Sequence, residues 1–317
     1  MNRHLVLLSI AQGLFLTNNV TFIAINGLVG LSLAPEAWMA TLPVMGYVVG
    51  GALSTGLVAK SQQRFGRKGS FQLGLLVALL SAALGAFAVL SQSFWLLVTA
   101  TVVAGYYSAN GQLYRFAAAE LCQPDYREKA VSLVMAGGLI GAVIGPNLAI
   151  QTKSILGMPF AGAYVALMVV AVLSMAVMSF ITFPPAPVVK ADDTGGRPLG
   201  EIMRQPVFVV AAMAAALGYG VMNLLMAATP LAMQVCGLSF EDTGWVLEWH
   251  VIGMFAPGFV TGHLIKRFGV LPIMGVGVLL NIACIAVALS GVDLHQFLWS
   301  MFLLGVGWNF LFTGSTT

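Results

Sequence analysis

Ten long apolar runs dominate this sequence and leave little chain for anything else. A membrane-spanning helix needs about 20 mostly apolar residues. Residues 5–32, 38–59, 70–91, 94–116, 130–151, 158–183, 207–232, 243–265, 270–290 and 296–317 each supply such a run. The runs are continuous rather than alternating, so they predict helices and not the strands of a barrel. Charge agrees with this. Only 8% of the residues are charged, against about 25% in a soluble domain, which is too few to build a water-facing surface. The expected fold is an all-α polytopic membrane protein with ten transmembrane helices. The first run continues past Asn18 and Asn19 with no small-residue cleavage site, so it reads as a retained helix and not a signal peptide. Cys122, Cys236 and Cys284 are scattered in apolar surroundings. No metal site, disulfide framework or cofactor is implied.

Basic residues set the expected orientation. With the N-terminus in the cytoplasm, all of the 14 Lys and Arg residues except Lys153 fall on the inner side. They cluster at Lys60, Arg64, Arg67 and Lys68 after the second run and at Lys266 and Arg267 after the eighth. The expected setting is a bacterial cytoplasmic membrane, with lipid and a small-molecule substrate as partners, no nucleic acid, and a monomeric state.

The longest polar stretch, Pro184 to Gln205, is rich in Pro, Gly and Asp and reads as a cytoplasmic linker, with a short surface helix from Pro198 to Arg204. It divides the chain into a six-helix half (residues 1–183), a linker (184–206) and a four-helix half (207–317). Arg64-Phe65-Gly66 and Arg267-Phe268-Gly269 recur 203 residues apart, each after the second helix of its half. This implies two halves related by a pseudo-twofold axis along the membrane normal.

Six helices, a linker and a second half with a matching basic loop resemble the major facilitator superfamily. The run Ala59 to Lys68 is similar to that family's loop signature, matching at Arg64, Gly66, Arg67 and Lys68, while Gln63 replaces its Asp. The second half keeps Arg267 and Gly269. The resemblance implies a gating or orienting role for this loop, and the missing Asp removes a charge from that account. Gly137, Gly141, Gly145 and Pro146 resemble the start of an exporter signature in the fifth helix; their spacing of four also suits plain close packing. The family pattern expects two more helices, so the chain is expected to be an incomplete 6 + 4 version.

Ionisable residues inside a membrane are costly and point to function. Glu248 is the candidate for proton coupling; the competing reading places it in the headgroup zone beside Trp245 and Trp249. Arg115 reads as a cation snorkelling to the headgroups, with the alternative role of gripping an anionic substrate group. The resemblance implies that the first helix of each three-helix unit lines the path. Asn18, Asn19 and Asn26 lie in the first helix, and Tyr106, Asn110 and Tyr114 share a face of the fourth. Asn223 lies in the seventh, and Trp308 and Asn309 lie in the tenth. Aromatic and amide groups suit a neutral or amphipathic organic solute. The expected function is therefore a secondary transporter working by alternating access, proton-coupled, with export favoured. The alternative is a truncated or non-transporting binding or sensor protein. No HExxH, GxSxG, P-loop or paired catalytic carboxylates suggest an enzyme.

Overall fold

The computed structural model describes residues 3–123, 126–184 and 199–315, and among these every regular element is helical. The N-terminal half holds α1 (Arg3–Leu33), a short 3-10 turn (Ala37–Met39), α2 (Leu42–Leu90), α3 (Phe94–Gly111), α4 (Tyr114–Glu120), α5 (Arg127–Thr152) and α6 (Ala161–Ser179). The C-terminal half holds α7 (Leu199–Met203), α8 (Pro206–Val235), α9 (Phe240–Phe255), α10 (Gly258–Phe268), α11 (Val270–Leu289) and α12 (Leu294–Ser315). Most of the polar linker, residues 185–198, lies outside the described residues.

These elements map onto the ten expected spans with three departures. The 49 residues of α2 would extend about 74 Å as one straight helix, far beyond a hydrocarbon core of about 30 Å. The chain reverses inside it at Gly66, where φ is 69° and ψ is 178°, so α2 is two spans joined by a tight turn. The expected fourth span is two helices, α3 and α4, parted by Gln112 and Leu113. The expected eighth span is α9 and α10, parted at Ala256 and Pro257, whose ring removes a backbone donor.

The internal repeat holds in three dimensions. Gly269, 203 positions after Gly66, repeats its conformation with φ 89° and ψ 162°. The Arg64 guanidinium lies 5.3 Å from the Phe65 ring, and that of Arg267 lies 5.2 Å from the Phe268 ring. Positive φ of this kind needs glycine, which explains the glycine in both copies. Both turns lie at the same end of the bundle, called here the basic end.

Helices meet through glycine. Lipid gives no hydrophobic drive between helices, so association depends on close van der Waals approach. A Cβ on Gly105 would stand 2.2 Å from the Gly50 carbonyl carbon, so α2 and α3 touch backbone to backbone. In the second half a Cβ on Gly305 would stand 2.4 Å from the His250 oxygen and 3.0 Å from the Gly253 carbon, joining α9 to α12. Gly50 and Gly253 are again 203 positions apart. The expected packing face of α5 meets α1: a Cβ on Gly137 would stand 2.1 Å from the Ser9 oxygen, on Gly141 2.6 Å from the Thr17 nitrogen, and on Gly145 3.0 Å from the Val20 Cβ. Thr21 Oγ1 donates to the Gly145 carbonyl at 2.8 Å. Pro146 follows within α5.

Overpacking a helix contact of this kind costs about 3 kcal/mol. Gly105→Val is therefore expected to lower the detergent melting temperature sharply. Gly56→Ala, where an added Cβ meets nothing within 4 Å, should leave it unchanged in the same scan.

Candidate functional site

The two halves face each other across a narrow central slot with a cavity volume of about 50 Å³, below the size of small-molecule sites, so a solute enters it only when the walls part. On α1, Gln12, Phe15, Leu16, Asn19, Val20 and Ile23 line it. Their spacing is the i, i+3, i+4, i+7 pattern of one helix face. On α8 the same pattern brings in Tyr219, Met222, Asn223 and Met226. The remaining wall comes from Tyr47, Gly111, Gln112, Arg115, Met135, Val251, Met254, Phe255, Trp308 and Phe312. A second cavity continues towards the basic end between α4, α5, α10 and α12, sharing Arg115, Met135, Met254, Phe255, Trp308 and Phe312 with the slot.

The slot walls are aromatic and several of their polar atoms are unspent. Trp308 and Phe312 stack with centroids 4.7 Å apart and planes 13° apart. Phe15 makes edge contact with Tyr107 at 5.3 Å and covers Gly111, where a side chain would collide with its ring. Gln12 Oε1, Asn19 Oδ1, Trp308 Nε1 and Arg115 Nε are buried without a protein partner. Buried polar groups are normally paired. A cluster of unpaired donors and acceptors around one cavity is what a polar, aromatic guest would satisfy.

The predicted path residues divide. Asn19, Asn223 and Trp308 line the slot. Asn18 is buried but does not line it. Asn26 accepts from the Tyr164 hydroxyl at 2.8 Å and donates to the Phe22 carbonyl at 2.7 Å, tying α1 to α6. Asn309 accepts from Thr261 Oγ1 at 2.6 Å and donates to the Met254 carbonyl at 2.7 Å, holding the broken α9–α10 segment against α12. It reaches only the second cavity. None of Tyr106, Asn110 and Tyr114 lines the slot. Tyr106 and Asn110 lie one turn apart on α3, and the break at Gln112 and Leu113, where Leu113 N bonds the Asn110 carbonyl at 3.0 Å, parts them from Tyr114 at the start of α4. Tyr106 faces an outer groove beside Lys60 and Arg64. Asn110 accepts from Ser70 at 2.9 Å, and Tyr114 packs edge-on to Phe71 at 4.8 Å.

Glu248 lies away from the slot, half-buried, and accepts from Asn147 Nδ2 at 3.4 Å. That bond joins α9 of one half to α5 of the other. His250 is fully buried, its Nδ1 2.7 Å from the Met301 carbonyl. In the basic loop, Arg67 binds both carboxylate oxygens of Glu120 (Nε at 3.0 and 3.2 Å) and also Gln62, while Lys68 donates to the Ser179 carbonyl at 2.5 Å. The acid missing at Gln63 is thus supplied from the end of α4. At the opposite end Lys153 Nζ contacts Glu241 at 2.5 Å. Phe160 and Phe240 meet beside that pair with centroids 5.2 Å apart.

Such an architecture, two pseudo-symmetric helical halves around a buried polar-aromatic slot, defines a membrane transporter. The sequence model of the Major Facilitator Superfamily matches residues 5–317, and the chain belongs to that family. It is 37% identical over 319 residues to the riboflavin transporter RfnT of Brucella anthropi, covering 99% of this chain and 79% of that protein. It is 27% identical over 312 residues to the MFS-type transporter YddS of Bacillus subtilis, covering 92% of this chain and 71% of that one. Among solved structures, a D-xylose–proton symporter superposes with TM-score 0.70 at 14% identity, over 96% of this chain and 80% of its own. A bacterial homologue of the human lysosomal transporter Spinster gives 0.69 at 16% identity, over 99% and 74%. The family and these relatives are transporters, so the protein is a transport protein and not an enzyme.

Asn309→Ala removes two buried hydrogen bonds and should cost about 1–3 kcal/mol, read as a lower melting temperature. Asn19→Ala, whose Oδ1 has no protein partner, should leave that temperature nearly unchanged and instead weaken ligand binding.

Proposed function

We propose that this protein carries a planar, polar heteroaromatic solute of the riboflavin kind across a bacterial cytoplasmic membrane by alternating access. The observation that carries this reading is the slot itself: aromatic faces, amides and unpaired donors and acceptors at the seam of the two halves. The identity to a riboflavin transporter adds to it. Flat aromatic walls accept a flat ring system, and the unpaired polar atoms match the ring heteroatoms and hydroxyls of such a guest. Four methionines, Met135, Met222, Met226 and Met254, adapt to its outline.

In this reading the basic end is cytoplasmic, as the distribution of Lys and Arg requires, and the 203-residue pseudo-symmetry lets one half rock against the other. The Lys153–Glu241 pair and the Phe160–Phe240 contact latch the outer end. Glu248 couples the cycle to protons from the seam rather than from the slot. Protonating its carboxylate ends its role as a charged acceptor for Asn147, and that bond joins the two halves. The glycines behind the exporter resemblance are engaged in α1–α5 packing, so flux is measured in both directions.

Proteoliposomes holding the purified chain should exchange riboflavin across the membrane. Trp308→Ala should weaken binding about tenfold, the effect of losing an aromatic contact worth about 1.4 kcal/mol. Binding without flux would favour a non-transporting binding protein, and neither binding nor flux would reject the flavin reading. In Glu248→Gln, downhill exchange should persist while dependence on a pH gradient disappears; an unaltered gradient dependence removes Glu248 from the coupling.

The hydrogen bond from Lys153 holds the Glu241 carboxyl below the ordinary carboxylate range. The sign follows from linkage: the pair persists above the ordinary value and is lost only as pH falls through the lowered one. The latch should therefore be constant from about pH 5 upward, leaving proton dependence in that window to other groups. An exposed pair is worth at most about 1 kcal/mol, so Glu241→Gln should raise outer-end opening no more than about fivefold. Thiol labelling of Met158→Cys, in the outer vestibule beside Lys153, reads that change.

A further inference from the structure

Among the described residues, Arg115 is the one charged side chain lining the central slot. The acid nearest to it in sequence, Glu120, is already bound through both oxygens by Arg67. Among the described residues the other ion pair is Lys153–Glu241, at the opposite end. The guanidinium is instead held by two rings, 4.8 Å from the centroid of Phe116 and 4.8 Å from that of Phe312. Stacking of this kind supports a cation by its ring faces and leaves the in-plane N–H edge free for a bidentate acceptor. Its Nε is buried and unpartnered, as is the neighbouring donor Trp308 Nε1.

We propose that Arg115 makes the slot selective for an anionic aromatic cargo, one bearing a carboxylate, sulfonate or phosphate beside its ring. An unpaired cation inside a membrane protein is costly, and pairing with an anion in a partly desolvated site relieves that cost through charge-assisted hydrogen bonds. The ring of the cargo then continues the Arg115–Phe312–Trp308 stack. This assignment deepens the flavin reading by adding a charge requirement, and it stands at the junction of the slot and the basic-end cavity, where Arg115 lines both.

Two matched pairs of probes test it by equilibrium titration of the full chain in nanodiscs. One pair is riboflavin and riboflavin 5′-phosphate; the other is naphthalene-2-carboxylate and its neutral carboxamide. The anionic member of each pair should bind at least about tenfold more tightly than the neutral one. Arg115→Gln should erase that ratio, and Arg115→Lys, which keeps the charge and controls for folding, should retain part of it. Should neither flavin bind while the naphthyl pair still shows an Arg115-dependent ratio, the flavin reading fails and the charge requirement stands. Equal affinities within both pairs, a ratio that survives Arg115→Gln, or no binding of any of the four probes would overturn it.

Discussion

Backbone contact at glycine is the interaction on which the other features rest. Helices in lipid gain nothing by hiding apolar surface from one another, because the tails are as apolar as their side chains. What holds them is the number of atoms that can be brought into contact. The α1–α5 seam is closed by Gly137, Gly141 and Gly145, with Gly13 opposite: a Cβ on Gly13 would lie 2.8 Å from the Gly137 oxygen. With α1 pressed onto α5 by that face, its other face, from Gln12 through Asn19 to Ile23, is turned towards the C-terminal half. The slot is thus positioned by residues that never touch it.

The same economy appears twice along the chain. Gly50, Gly66 and Gly74 have counterparts 203 positions on at Gly253, Gly269 and Gly277. In each half these positions supply a backbone contact, a turn and a second close approach, the last against Asn110 in one half and Gly307 in the other. Two units built by one rule can move as bodies, and what lies between them is free to change. Among the described residues, the polar bonds across the seam are Lys153 to Glu241 and Asn147 to Glu248. Some bonds within a half, Tyr164 to Asn26 and Thr261 to Asn309, are buried. Breaking exposed or half-buried bonds costs little, whereas breaking buried ones leaves unpaired polar groups. The seam is therefore where a rocking motion meets least resistance.

Burial of polar side chains separates structural from functional roles here. Asn26, Asn110 and Asn309 looked equivalent to Asn19 and Asn223 when read as amides on path-lining helices. The first three have their hydrogen bonds made within the protein, and Asn223 Nδ2 donates to the Tyr219 carbonyl at 2.9 Å, while Asn19 Oδ1 and Gln12 Oε1 are unmatched. Gln12, Tyr47, Gln112 and Tyr219 line the slot without a motif to mark them, although Gln12 and Asn19 are seven residues apart and so share a face. Tyr219 and Asn223 are four apart and do the same. Near a helix end, Arg115 reads from the sequence as a snorkelling cation, or alternatively as a grip for an anionic group. Its place between Phe116 and Phe312 brings in a ring nearly 200 positions away, a contact no local pattern signals.

The sequence by itself determined the solvent, the helical class, the division into halves and the repeat between them. Those follow from run length, charge scarcity and glycine at fixed offsets, all local properties of the chain that the bilayer reads directly. Tertiary structure alone decided which polar residues remain unpaired, that the helix breaks between Asn110 and Tyr114, and that Glu120 supplies the acid absent at Gln63. Each of these depends on which helices become neighbours and at what rotation, and periodicity along one helix does not specify the face of another.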